Sequence, residues 1–120
     1  MVTGERRSFF YPVISCRVYD GDTIMDIVLD LGFNLRLTIT GRLYGINTPE
    51  VRGHDRVAGV AARDYLAGRI ERANVVHIET VRVGSRLKGK YGRWLIRVWA
   101  DGVNLNDALV ADGFAEYKNY

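Results

Sequence analysis

Val18-Tyr19-Asp20-Gly21-Asp22-Thr23-Ile24-Met25-Asp26-Ile27-Val28-Leu29 is the stretch on which the fold turns. Phe9 to Tyr19 is rich in β-branched and aromatic residues, which suit a pleated, half-buried surface. Asp20-Gly21-Asp22 is a turn-forming trio, and strand formers resume after it, so the stretch reads as a β-hairpin. In its second strand Ile24 and Val28 are set off against Asp26, which predicts one buried face and one wet face.

Working outward, a second turn around Asp30 to Asn34 feeds Leu35 to Tyr44, where Leu35, Leu37 and Ile39 keep a two-residue period. This is a third antiparallel strand, with Gly41 marking a bulge or bend of the kind that turns a barrel corner. Beyond Glu50, the residues Ala58, Ala62, Leu66, Ile70 and Ala73 recur at helical spacing and predict a helix from about Asp55 to Ala73. Gly59 and Gly68 each weaken that helix by roughly 1 kcal/mol relative to Ala, so packing on the sheet has to supply its stability. Val75 to Val81 and Trp94 to Ala100 read as fourth and fifth strands around a loop, Arg82 to Lys90, heavy in Gly and cations. After a tight turn at Asp101-Gly102, Asn104 or Asn106 caps a short helix, and Gly113 ends it in the left-handed conformation. The order predicts a mainly β chain with α: a five-stranded OB-fold barrel, a helix between strands three and four, and a short C-terminal helix.

Composition bounds the rest. At 120 residues, with 48% apolar and 26% charged, residues 1–120 are sized for a single domain with one core. Seventeen Lys and Arg against fourteen Asp and Glu give a net charge of +3, which suits a polyanionic partner only if the charges converge in space. The lone Cys16 excludes an internal disulfide and reads as a small buried strand residue. With only His54 and His77 besides, nitrogen and sulfur ligands are too few for zinc. No run of about 18 apolar residues exists to cross a membrane. Met1 to Arg7 lead straight into strand-like sequence rather than a signal-peptide core. The expectation is a soluble, unexported and cytoplasmic monomer, with an oligomer and secretion of a processed form left open.

Three separated segments can carry chemistry: Asp20-Gly21-Asp22-Thr23, Arg42 to Glu50, and Lys90-Tyr91-Gly92-Arg93. Taken singly, each reads as an ordinary turn or loop. Together they offer carboxylates for a divalent cation, a carboxylate for an attacking water, and two guanidinium groups for charge building on phosphorus. Arg suits that task better than Lys because its fork matches phosphate oxygens and never deprotonates.

In order, spacing and surrounding pattern these segments resemble the staphylococcal (micrococcal) nuclease, or thermonuclease, family. The similarity runs from Val18 to Thr23 through Arg42 to Glu50 and Lys90 to Arg93, then into Trp99 to Gly102 and Asn106 to Gly113. The resemblance implies calcium-dependent hydrolysis of DNA and RNA, preferring single strands and leaving a 3′-phosphate. By the same resemblance Asp22 is a metal ligand, and Thr48 is one through its backbone carbonyl. Glu50 orients or deprotonates the water, and Arg42 and Arg93 hold the phosphate and its transition state. Lys90 and Tyr91 match positions beside the nucleotide's phosphates, and Tyr117 and Tyr120 match positions that present tyrosines to a base. Asn47 stands where better-known members carry an aspartate ligand. Its amide oxygen can still coordinate, but the lost charge predicts weaker calcium affinity, with Asp20 available to compensate from the same turn. The chain also stops short of a further helix that those members carry.

Trp94 and Trp99 read as barrel-wall residues, and Arg82, Arg86, Lys88 and Arg97 as either a track for the nucleic-acid backbone or solvated loop charges. The rival function is a non-catalytic nucleic-acid-binding or scaffold module, which the neutral Asn47 keeps open.

Overall fold

The structure is a computed structural model that describes residues 8–83, 87–88 and 92–119. β1 (Phe10–Asp20) and β2 (Thr23–Asp30) form the expected hairpin, closed by the Asp20–Thr23 pair. β3 (Arg36–Leu43) lies antiparallel to β2, and α1 (Arg56–Arg72) follows the short β4 (Ile46–Asn47) and a single 3-10 turn at Gly53–Asp55. β5 (Val76–Thr80) pairs with β1, and β6 (Trp94–Ala100) pairs with β5. β6 then meets β3 in parallel through Gly41–Trp94, Arg42–Leu95 and Leu43–Ile96, which closes a five-stranded barrel and removes its open edges. β7 (Val103–Asn104), α2 (Leu105–Ala111) and β8 (Glu116–Tyr117) complete the chain, β8 forming a two-stranded ribbon with β4. This is the predicted OB-fold barrel.

The face of β2 differs from the sequence reading. A strict two-residue period puts Ile24, Asp26 and Val28 on one face, which cannot be both buried and wet. The strand resolves the conflict with a bulge: Asp26 takes φ 52° and the register with β3 slips between Ile24 and Ile27. Ile24, Ile27 and Leu29 are therefore the buried residues, while Val28 is only half-buried. Gly41 is not the bulge. A methyl group there would lie 2.3 Å from Ile96 Cδ1, so the glycine lets β3 press against the barrel interior where it bridges β2 and β6. Leu35 and Leu37, expected on a buried face, are 59% and 48% exposed, because the core begins only at Gly41 on this strand.

The inward face of α1 is Gly59, Ala62 and Leu66, one residue off the expected Ala58, which is exposed. Asn104 is the cap of α2, its side chain accepting from Asp107 N at 3.3 Å, and Gly113 takes φ 84° after the helix as expected. Asn106 is instead buried, accepting from Val98 N at 3.0 Å and donating to Tyr44 O and Ile96 O at 3.0 and 3.1 Å. It fastens α2 to β6 and to the start of the loop that carries the candidate site. Cys16 is half-buried in β1, and burial pushes its thiol pKa up. Among the described residues no helix is long and apolar enough to cross a membrane.

Candidate active site

The β1–β2 turn places Asp22 at the barrel rim, 8% exposed, with its backbone N–H donating to Asp20 Oδ1 at 3.1 Å. β3 arrives with Arg42 opposite Thr23, and Leu43 N donates to Asp22 O at 2.8 Å. That register sets the Arg42 guanidinium beside the Asp22 carboxylate, Nη2 to Oδ2 3.4 Å. The same Nη2 donates to Asn47 Oδ1 at 2.7 Å, and Nη1 donates to Leu43 O at 2.6 Å. Thr48 N donates to Asp22 Oδ2 at 3.0 Å, so Asp22, Arg42, Asn47 and Thr48 interlock. Arg93 joins through Thr23, whose hydroxyl accepts from Arg93 Nη1 at 3.1 Å and donates to Asp22 Oδ1 at 3.3 Å. Thr23 belongs to a segment the sequence singles out, but its bridging between Arg93 and Asp22 had no signal there.

Glu50 lies beyond Thr48 on the same loop, exposed, and its carboxylate pairs with no other described residue. Its backbone is tightly held. A methyl on Gly59 would lie 1.9 Å from Glu50 O, and one on Gly21 would lie 2.7 Å from Thr48 Cγ2 and 2.8 Å from Ala62 Cβ. The turn carrying Asp22 and the loop carrying Glu50 thus both close onto α1 through positions that admit no Cβ. In the sequence Gly59 reads only as a weakness of the helix, because its value depends on what packs against it.

Burial raises the Asp20 pKa to about 6, and the Asp22 carboxylate beside it pushes the same way. The Thr48 hydroxyl is a buried oxygen with no hydrogen-bond partner among the described residues, facing the Gly21 turn. Two carboxylates, an amide oxygen and the Thr48 oxygens are the donor chemistry of a hard, oxygen-ligated cation. No group of three or more His, Cys, Asp or Glu suited to a metal occurs among the described residues, so an ion here would depend on the neutral oxygens as well. Arg42 already stands on Asp22 and Asn47, two of those donors.

Of the other expected positions, Tyr117 is 65% exposed on β8, its hydroxyl donating to Asp107 Oδ1 at 3.2 Å, and it pairs with Ile46 beside Asn47. Lys90, Tyr91, Tyr120 and Arg86 lie outside the described residues. Arg97, read as part of a backbone track or as a solvated loop charge, stands on β6, faces Glu79 Oε2 at 3.6 Å and lies over the Tyr44 ring. Lys88 sits over the Trp94 ring at 4.3 Å, while Arg82 is exposed. Trp99 donates to Glu79 Oε1 at 3.0 Å, and both tryptophans are half-buried in the barrel wall.

The sequence model of the staphylococcal nuclease homologue family matches residues 40–120, more than half of the chain. The chain belongs to the staphylococcal nuclease homologue family. The matched range takes in Arg42, Asn47, Thr48, Glu50 and Arg93. Asp22 lies before it, and the bonds from Thr48, Arg42 and Leu43 attach its turn to the family segment.

Proposed function

We propose that this member of the staphylococcal nuclease homologue family is a calcium-dependent phosphodiesterase acting on DNA or RNA, preferring single strands and leaving 3′-phosphate ends. One observation carries the reading: residues far apart in sequence, Asp22, Arg42, Asn47 and Thr48, interlock at one rim, and on the same loop lies the carboxylate of Glu50, unpaired among the described residues. Asp22, Asn47 and Thr48 would hold the calcium, which when bound supplies positive charge beside the phosphate. Glu50 takes the proton of the attacking water as its oxygen bonds to phosphorus. The bond from phosphorus to the 5′ oxygen breaks, and that oxygen takes a proton from solvent. Arg42 and Arg93 donate to the phosphate oxygens as charge builds on them.

The rival, a module that binds nucleic acid without cutting it, draws support from Arg42, which is spent on Asp22 and Asn47 rather than directed outward. Release of acid-soluble nucleotides from denatured DNA and from RNA separates the two. The nuclease reading expects release that rises as calcium is titrated from micromolar to tens of millimolar and stops in chelator. Oligonucleotide binding with no product at any calcium concentration would establish the rival.

A further inference from the structure

A cleft of about 770 Å³ lies between β1 and α1 and is lined by Arg17, Arg52, Arg56 and Arg63, with Tyr19 at its edge and no acidic side chain in its lining. Arg52 and Arg56 pair with no carboxylate among the described residues. Arg17 and Arg63 meet Asp26 and Asp64, each at 3.2 Å, but these pairs are open to water, the Arg17–Asp26 side chains being 61% and 67% exposed. Exposed pairs contribute only about 0–1 kcal/mol, so a polyanion can displace them. A solvated face would spread its cations over a convex surface, whereas here β1, the loop after Glu50 and α1 line one concavity with them.

The cleft shares its two flanking segments with the candidate site along the chain: Tyr19 precedes Asp20, and Val51, also in the lining, follows Glu50. Tyr19 is 37% exposed and offers a ring on which an unpaired base can stack, a surface that a duplex, with its bases stacked inside, cannot use. We infer that this cleft carries the phosphodiester backbone of a single-stranded substrate on the Glu50 flank, extending contact beyond the scissile phosphate. The inference rests on the nuclease reading above and gives its strand preference a physical basis. Affinity then grows with strand length, because only a strand that reaches past the reacting phosphate meets the arginines.

The test is fluorescence anisotropy in chelator, so that nothing is cut, with labelled single strands of about 12 and about 3 nucleotides, comparing wild type with R52A/R56A. Both arginines are exposed, and circular dichroism checks that the fold is retained. Two phosphate contacts at about 0.7 each predict a salt slope lower by about 1.4 for the longer strand, equal to about sevenfold between 50 and 200 mM salt. The shorter strand loses less than twofold, and R52E/R56E deepens the effect. An unchanged slope, or equal losses for both lengths, in a protein whose wild type binds and cleaves overturns the cleft alone. A duplex that outcompetes the single strand overturns the strand assignment. Wild-type protein that binds no nucleic acid at low salt overturns the nuclease reading, and the cleft with it.

Discussion

Arg42 and Arg97 lie on adjacent strands of the barrel, β3 and β6, and each faces a carboxylate, yet they sit in opposite kinds of surroundings. At the β5–β6 wall the Glu79 carboxylate is shared between Arg97 and the Trp99 indole, and the group is complete. At the rim the Arg42–Asp22 pair is more deeply buried, with side chains 9% and 11% exposed, but its surroundings hold a Thr48 hydroxyl and a Glu50 carboxylate that have no partner among the described residues, and a carboxyl on Asp20 pushed to about 6. A satisfied pair is architecture; a pair beside oxygens that still have capacity to accept is where the proposed cation would complete the set.

Removing Arg42 has the largest expected effect. Arg42→Ala strands Asp22 in a buried position and is expected to cost about 3–5 kcal/mol in urea unfolding and to abolish cleavage. A loss under 1 kcal/mol with cleavage retained would show the rim to be as ordinary as the wall.

Gly59→Ala is next. It tests whether α1 positions Glu50, because the added methyl must displace the Glu50 carbonyl. A displacement of about 1 Å at the reacting centre predicts a kcat fall of about 100-fold, with strand affinity in chelator nearly unchanged. An unchanged kcat would show that the loop has room to give.

Asn47→Asp restores a charge at the rim and should tighten calcium on the order of tenfold, or about 1.4 kcal/mol, read from the calcium dependence of cleavage and by calorimetry. Weaker calcium binding would mean that the new carboxylate pairs with Arg42 instead. Arg97→Ala has the smallest expected effect, about 1 kcal/mol or less in stability with cleavage unaltered. A large loss of cleavage there would move the wall into the working site.

Much of the barrel was legible because strand and turn chemistry are local: the Asp20–Asp22 turn, the Asp101-Gly102 turn, and the Trp94–Ala100 strand stand where the sequence puts them. What was not legible depends on partners. The bulge at Asp26 shifts the buried face of β2, and nothing near Asp26 announces it. Asn106 looks like a helix cap until the carbonyls of Tyr44 and Ile96 are seen to converge on it. In the site, Asp22, Arg42, Glu50 and Arg93 could be named from dispersed segments, since the chemistry needs those residue types, whereas Asn47 and Thr48 could be named only by the family resemblance. Thr23, Gly21 and Gly59 could not, because a bridging hydroxyl or a missing Cβ has meaning only against its neighbours.

In the proposed reaction Glu50 handles the attacking water at a rim assembled around Arg42 and Asp22. Single-turnover cleavage of denatured DNA at saturating calcium, wild type against Glu50→Gln, tests it most directly, with strand binding measured in chelator as the control. The account predicts a rate lower by about 10²–10⁴-fold with binding intact. Glu50→Gln cleaving at the wild-type rate would contradict it.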